Sequence, residues 1–120
     1  MLINHTNHPA ARWPKEQAEA ARAWGEVADI PFPEIGADWD EERVAALAAE
    51  NAAKIIAQQP AAVLCQGEFT YVYRLVSLLL AAGIPALAAA SRREAIETQA
   101  ADGSSQKMSR FVFTRFRQYR

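Results

Sequence analysis

The chain has 120 residues, with 13 Lys and Arg against 14 Asp and Glu for a formal charge of −1 at pH 7. That length predicts one domain, residues 1–120, and leaves no room for a separate cofactor module. It is 51% hydrophobic and 22% charged, which suits one modest core and excludes a disordered chain.

Leu2-Ile3 reads as a short strand that stops at the polar cluster Asn4-His5-Thr6-Asn7-His8, closed by Pro9. Lys15 to Trp24 is rich in helix formers and ends at Gly25 as a C-cap. Val27 to Ile30 is a second strand, halted by Pro31-Phe32-Pro33. Asp38 or Asp40 caps a long helix whose Val44, Leu47, Ala48 and Ile55 fall near one face, and Pro60 ends it. Ala62 to Cys65 is a third strand, apolar throughout as a buried parallel strand is. Gln66-Gly67-Glu68 turns the chain into a helix from Phe69 to Ala82, stopped by Gly83. Ile84 to Ala89 is the fourth strand. Beyond Ser91, the segments Ala95–Gln99 and Phe111–Phe116 flank Asp102-Gly103, a hairpin signal. The alternation predicts an α/β fold: a Rossmann-like parallel sheet with flanking helices and a C-terminal antiparallel hairpin.

No apolar run approaches the ~20 residues that span a bilayer, so no membrane partner is expected. Met1 to Asn4 shows neither the basic nor the long apolar part of a secretory signal. A cytoplasmic location is therefore expected. The lone cysteine, Cys65, excludes an internal disulfide and any multi-cysteine metal site. Residues 1–91 carry a net charge of −5 and residues 92–120 a net +4. Such a split favours one defined anionic partner over adhesion to duplex nucleic acid, although charge patterning for solubility produces the same picture.

Open α/β sheets bind ligands at the C-terminal ends of their strands, and three such ends carry polar clusters here. The first delivers Asn4, His5, Thr6, Asn7 and His8. The third delivers Gln66, Gly67 and Glu68, with Phe69 and Thr70 opening the next helix. The fourth delivers Ser91, Arg92 and Arg93. Gly67 would let a ligand approach the backbone, and the N–H groups of the helix start could receive a phosphate. A plain helix start with Glu68 favouring the dipole explains the same residues. There is no P-loop lysine and no G-x-G-x-x-G, so neither an NTPase nor a dinucleotide site is indicated. His5 and His8 lack acidic neighbours for a metal; imidazole suits proton transfer or a hydrogen bond to phosphate, or His8 only shapes the turn before Pro9. No metal and no cofactor are expected. Strict alternation along the last strand puts Phe111, Phe113, Arg115, Arg117 and Tyr119 on one face. Arg115 and Arg117 there could grip phosphates, line a dimer interface or protect an edge strand. Val72, Leu75, Val76, Leu79 and Leu80, with the Phe111–Phe116 strand, offer more apolar surface than one thin sheet requires, so a homodimer is expected.

Asn7-His8-Pro9, Gln66-Gly67-Glu68-Phe69-Thr70 and the terminal Phe113, Phe116, Arg117 and Tyr119, in that order, span nearly the whole chain. Together they resemble the small standalone accessory proteins of type III CRISPR loci, the ring-nuclease group related to the CRISPR-associated Rossmann-fold (CARF) sensors. The resemblance implies a homodimer that holds a cyclic oligoadenylate, cyclic tetra-adenylate being the expected ring, across its two-fold axis. It further implies a metal-independent ring nuclease, in which a ribose 2′-OH attacks the adjacent phosphorus and leaves a 2′,3′-cyclic phosphate. On that reading His8, Arg92 and Arg93 serve catalysis, and Asn4, His5, Thr6, Asn7, Gln66, Gly67, Glu68, Phe69, Thr70, Ser91, Arg115 and Arg117 bind the ligand. Two other classes stay open: a sponge or sensor that binds the messenger without cutting it, and a protein-interaction dimer with no nucleotide ligand.

Overall fold

The strand expected at Leu2-Ile3 forms as β1 (Leu2–His5), with all four residues buried, as befits a central parallel strand. The computed structural model describes all 120 residues. A 3-10 turn at Ala10–Arg12 leads into α1 (Lys15–Ala21), and a second at Arg22–Trp24 ends at Gly25, whose φ of 107° only glycine adopts freely. β2 (Val27–Asp29) follows, then α2 (Glu41–Ala57). Of the two capping candidates Asp40 acts: its Oδ1 accepts the Arg43 N–H at 2.8 Å. On α2 the expected stripe is buried at Val44, Ala48 and Ile55. β3 (Ala62–Cys65), α3 (Phe69–Ala81), β4 (Ala86–Gln99) and β5 (Ser105–Gln118) complete the chain.

The five strands lie in the order β2-β1-β3-β4-β5. The first four are parallel, and β5 is antiparallel to β4. The chain steps from β1 out to β2 and then crosses back over β1 to β3, so its winding direction reverses between β1 and β3. Side chains alternate across the sheet. Leu2, Leu64 and Leu87 pack with Ala21 of α1 on one face, while Ile3, Val63, Cys65 and Ala86 pack beneath α2 and α3 on the other. No helix is long and apolar enough to cross a membrane.

Three expectations change. The fourth strand and the first arm of the hairpin are a single strand: β4 runs on through Ser91 to Gln99 because β5 pairs with it along its whole length. The side-chain alternation along β5 breaks once. Ala90 pairs with Arg115 and Ser91 with Phe113, leaving Thr114 as a bulge whose Oγ1 donates to the Ala90 carbonyl at 2.8 Å. Finally, Val72, Leu75, Val76 and Leu79 are not spare surface; they fill the core between α3 and the sheet. The exposed large apolar groups are instead Phe69 and Tyr73 on α3 and Met108 and Phe111 on β5, with Met1 and Leu80 at the margin.

Candidate functional site

A cavity of about 460 Å³ opens at the C-terminal ends of β1 and β3, where the winding reverses. That is where doubly wound sheets take their ligands. Thr6, Asn7 and His8 from the loop after β1, Gln66 and Gly67 after β3, and Ser91 of β4 line it. The structure thus brings together six of the residues singled out in the sequence.

The loop after β1 is held by its own polar groups. Asn4 Nδ2 donates to the His8 carbonyl and to Asp29 Oδ1, each at 2.8 Å, and Asn4 Oδ1 accepts from Thr6 Oγ1 at 2.8 Å. The His8 N–H donates to Thr6 Oγ1 at 3.1 Å, and Trp13 Nε1 donates to the His8 carbonyl at 3.1 Å. Asn4 and Thr6 are therefore buried framework. These bonds grip the backbone of His8 and leave the exposed side chains of Asn7 and His8 at the cavity.

His5 alternates onto the other face, beneath α2 and α3, and is fully buried. It does not reach the cavity, which corrects its placement as a ligand contact. Its Nδ1 lies 2.8 Å from the Ile30 carbonyl and its Nε2 2.7 Å from Tyr71 Oη. A carbonyl only accepts, so Nδ1 carries the hydrogen and Nε2 accepts from the tyrosine. Tyr71 Oη in turn accepts from Asn51 Nδ2 at 3.0 Å. Burial pushes the His5 pKa down, partly opposed by the Ile30 bond, and pushes Tyr71 up to about 12.

The turn after β3 also differs from the phosphate cradle the sequence allowed. Glu68 caps α3: its carboxylate accepts the Thr70 and Tyr71 N–H groups at 3.0 and 2.8 Å and the Thr70 hydroxyl. These bonds hold its pKa below the usual carboxylate range. The helix start therefore already has its anion, and Glu68 and Thr70 serve each other. Gln66 Oε1 accepts the Ala89 N–H at 3.0 Å, with Nε2 at 3.5 Å from the Ala89 carbonyl. The backbone pairing of β3 and β4 ends at Leu64 and Leu87. The Gln66 amide continues it with a side chain, so β4 diverges and the cavity opens beside it.

Gly67 is required by packing. A Cβ there would lie 2.3–2.6 Å from three carbons of the Phe32 ring. That ring is held in turn against His5 and Tyr71, with centroids 5.4 and 5.0 Å away. Gly67→Ala is expected to cost about 1–3 kcal/mol, the scale of overpacking. Urea unfolding measures it, and a variant as stable as the parent would show that Phe32 yields freely.

The arginines separate. Cross-strand partners share a face, so Arg93, paired with Phe111, lies on the cavity face and Arg92 on the opposite one. There Arg92 and Arg110 hold the two oxygens of Glu94 at 2.9 and 3.0 Å. The Thr114 bulge turns Arg115 and Arg117 to the other side of the sheet from Phe111 and Phe113, and they line a groove at the β5 edge with Trp24 and Arg120. Arg92, Arg115 and Arg117 are thus set apart from the cavity. Phe69, 88% exposed, lies with Thr70 on a separate surface beside Tyr73 and the start of α2. Tyr119 Oη donates to the Cys65 carbonyl at 2.9 Å.

Arg12, Trp13 and Gln17 complete the cavity, with Phe111 and Phe113. The first three lie outside the strand-end clusters singled out in the sequence. A usable signal existed, since the segment between β1 and its crossover helix must begin at the same rim as the loop. The lining is thus aromatic at Trp13, Phe111 and Phe113, polar at Thr6, Asn7, His8, Gln17, Gln66 and Ser91, and cationic at Arg12, and Arg93 is the cross-strand partner of Phe111 on the same face, outside the lining. Such a site can stack a base, hydrogen-bond a ribose and neutralise a phosphate.

No curated protein and no solved structure matches the chain. Residues 1–117 match the model described as the Uncharacterized protein MJ1673 family. With nearly its whole length inside that one pattern, the chain belongs to the MJ1673 family.

Proposed function

We propose that this chain binds cyclic oligoadenylate, cyclic tetra-adenylate being the expected ring, and cleaves it as a metal-independent ring nuclease of type III CRISPR antiviral signalling. The observation that carries the reading is the cavity at the winding reversal, lined by aromatic rings, amides, hydroxyls, the Arg12 guanidinium and one imidazole, His8. The resemblance of the same loops to the ring-nuclease group supports it. The volume is that of a pocket for one drug-sized molecule, hence for about one nucleotide of a ring. A two-fold dimer would present the site twice to a ring of four.

In the reaction the 2′-oxygen bonds to the adjacent phosphorus and the bond from phosphorus to the 5′-oxygen breaks. The 2′-OH gives up its proton to solvent water and the 5′-oxygen gains one, leaving a 2′,3′-cyclic phosphate and a 5′-OH. The chain's part is to hold the attacking oxygen in line, which Asn7 and Ser91 can do at the ribose. Arg12 and Arg93 offset the charge of the pentacoordinate phosphorus. His8 donates to the leaving oxygen.

A second reading is favoured by one observation: only one imidazole lines the cavity, against two proton transfers. A chain that holds the ring without cutting it needs no more than that. Incubation with radiolabelled cyclic oligoadenylates in EDTA, under single-turnover conditions, separates the cases. Linear products support the nuclease, retention without cutting supports the sponge, and no retention removes both.

A further inference from the structure

The cavity draws none of its lining from the cations of the last strand. From Gly103 to Arg120 the chain carries Lys107, Arg110, Arg115, Arg117 and Arg120 and not one acidic residue. Arg110 is held by Glu94. Arg115, Arg117 and Arg120 enter none of the chain's ion pairs. These three line a groove of about 460 Å³ with Trp24, Phe116 and Gln118, and no acidic side chain lines it. No residue of this groove lines the cavity.

The groove is built on a fixed part of the chain. β5 is an edge strand, and near its end the Tyr119 N–H donates to the Ala86 carbonyl at 2.9 Å. Tyr119 Oη donates to the Cys65 carbonyl, also at 2.9 Å. Backbone groups alternate in direction along an antiparallel strand, so those of Phe116 and Gln118 face the free edge. Arg115 Nε donates to the Phe116 carbonyl at 3.3 Å, which curls its side chain over that edge. It thereby occupies an acceptor that an added strand would need. A ligand arriving here meets guanidinium groups rather than a free ladder.

Three like charges with no acid among them repel one another, and a multivalent anion removes that repulsion. Arginine meets phosphate oxygens with two parallel N–H donors. Arg115 and Arg117 stand about 7 Å apart at strand rise, so a single phosphate cannot match every guanidinium, whereas a chain of phosphates can. The volume suits one small molecule. We propose that the groove at the β5 edge is a binding site for an oligophosphate, free or carried by a nucleoside, that is long enough to engage Arg115, Arg117 and Arg120 together. Trp24 and Phe116 give a base an aromatic surface in the nucleoside case. The site does not rest on the adenylate reading of the cavity.

Titration calorimetry with tripolyphosphate and with adenosine triphosphate, both free of divalent metal, tests the site. The parent is expected to bind at one site per chain. Arg117→Gln and Arg120→Gln are each expected to weaken tripolyphosphate binding by about tenfold or more, the scale of a lost charge-assisted hydrogen bond. Both positions are exposed, and circular dichroism shows that each variant is folded. Arg12→Gln removes the same charge at the cavity and is expected to leave tripolyphosphate affinity nearly unchanged. Tighter binding of adenosine triphosphate identifies the ligand as a nucleotide; tripolyphosphate binding as tightly or more so identifies the phosphate chain alone. Binding of neither, groove variants that bind like the parent, or an equal loss in Arg12→Gln overturns the proposal. A parent that binds tripolyphosphate in this way and retains no radiolabelled cyclic adenylate removes the proposed function and leaves the groove site standing.

Discussion

His8→Ala is expected to lower single-turnover cleavage of a cyclic adenylate by about 100-fold or more, the scale of general acid–base catalysis, with affinity for the ring nearly unchanged. The expectation follows from how the loop is built. Its bonds run to the His8 N–H and carbonyl, from Thr6, Asn4 and Trp13, and none depends on the imidazole. Removing the ring therefore takes away a proton donor and leaves the loop in place. Quench-flow or gel analysis of labelled ring reads the rate, and equilibrium binding reads the affinity. A variant that binds and cuts like the parent would leave catalysis to in-line positioning and the arginines. A variant that loses stability yet keeps its rate per folded molecule would reduce His8 to shaping the turn before Pro9.

The elements that announced themselves are those where local chemistry and burial agree. β1 and β3 are short and wholly apolar or buried, Asp40 and Glu68 sit at the helix starts they cap, and Gly25 and Gly83 follow the helical segments they end. The long reach of β4 was hidden because its outer half is a solvated ribbon. Arg92, Arg93 and Glu94 show no apolar alternation, and their order comes from pairing with β5. A single bulged residue, Thr114, undid the face assignment of everything after it, since side-chain direction has a period of two and one extra residue inverts it. The cavity was legible as a place, from the polar strand ends. Which side chains enter it was not, because Asn4, His5 and Glu68 are polar for structural reasons that a sequence displays identically. Each satisfies a buried or terminal backbone group: the His8 carbonyl for Asn4, the Ile30 carbonyl for His5, and the Thr70 and Tyr71 N–H groups for Glu68, a purpose visible only when the folded partner is in place.

The buried His5 makes stability fall with acid. Its native pKa is pushed down by burial, while in the unfolded chain it returns to about 6.5. Between those two values the unfolded chain binds a proton that the native chain excludes. Unfolding then takes up a proton, and stability rises with pH through that window and is flat above it. Protonating His5 in place would put a hydrogen on Nε2 facing Tyr71 Oη, whose oxygen already accepts from Asn51. The tyrosine would have two donors at its oxygen and no acceptor for its own hydrogen. The same burial holds Tyr71 at about 12 and Cys65 at about 12. Unfolding above pH ~8.5 for Cys65, and above pH ~10 for Tyr71 as well, therefore releases protons the native state keeps, and stability falls again on the alkaline side. His5→Ala is expected to cost roughly 2–4 kcal/mol, from the cavity and the unpaired Ile30 carbonyl, and to flatten the acid limb between the native pKa and about 6.5. Thermal melts of parent and variant from pH 5 to 8 measure both effects. Parallel curves, separated by a constant offset at every pH, would show that the acid limb belongs to another group.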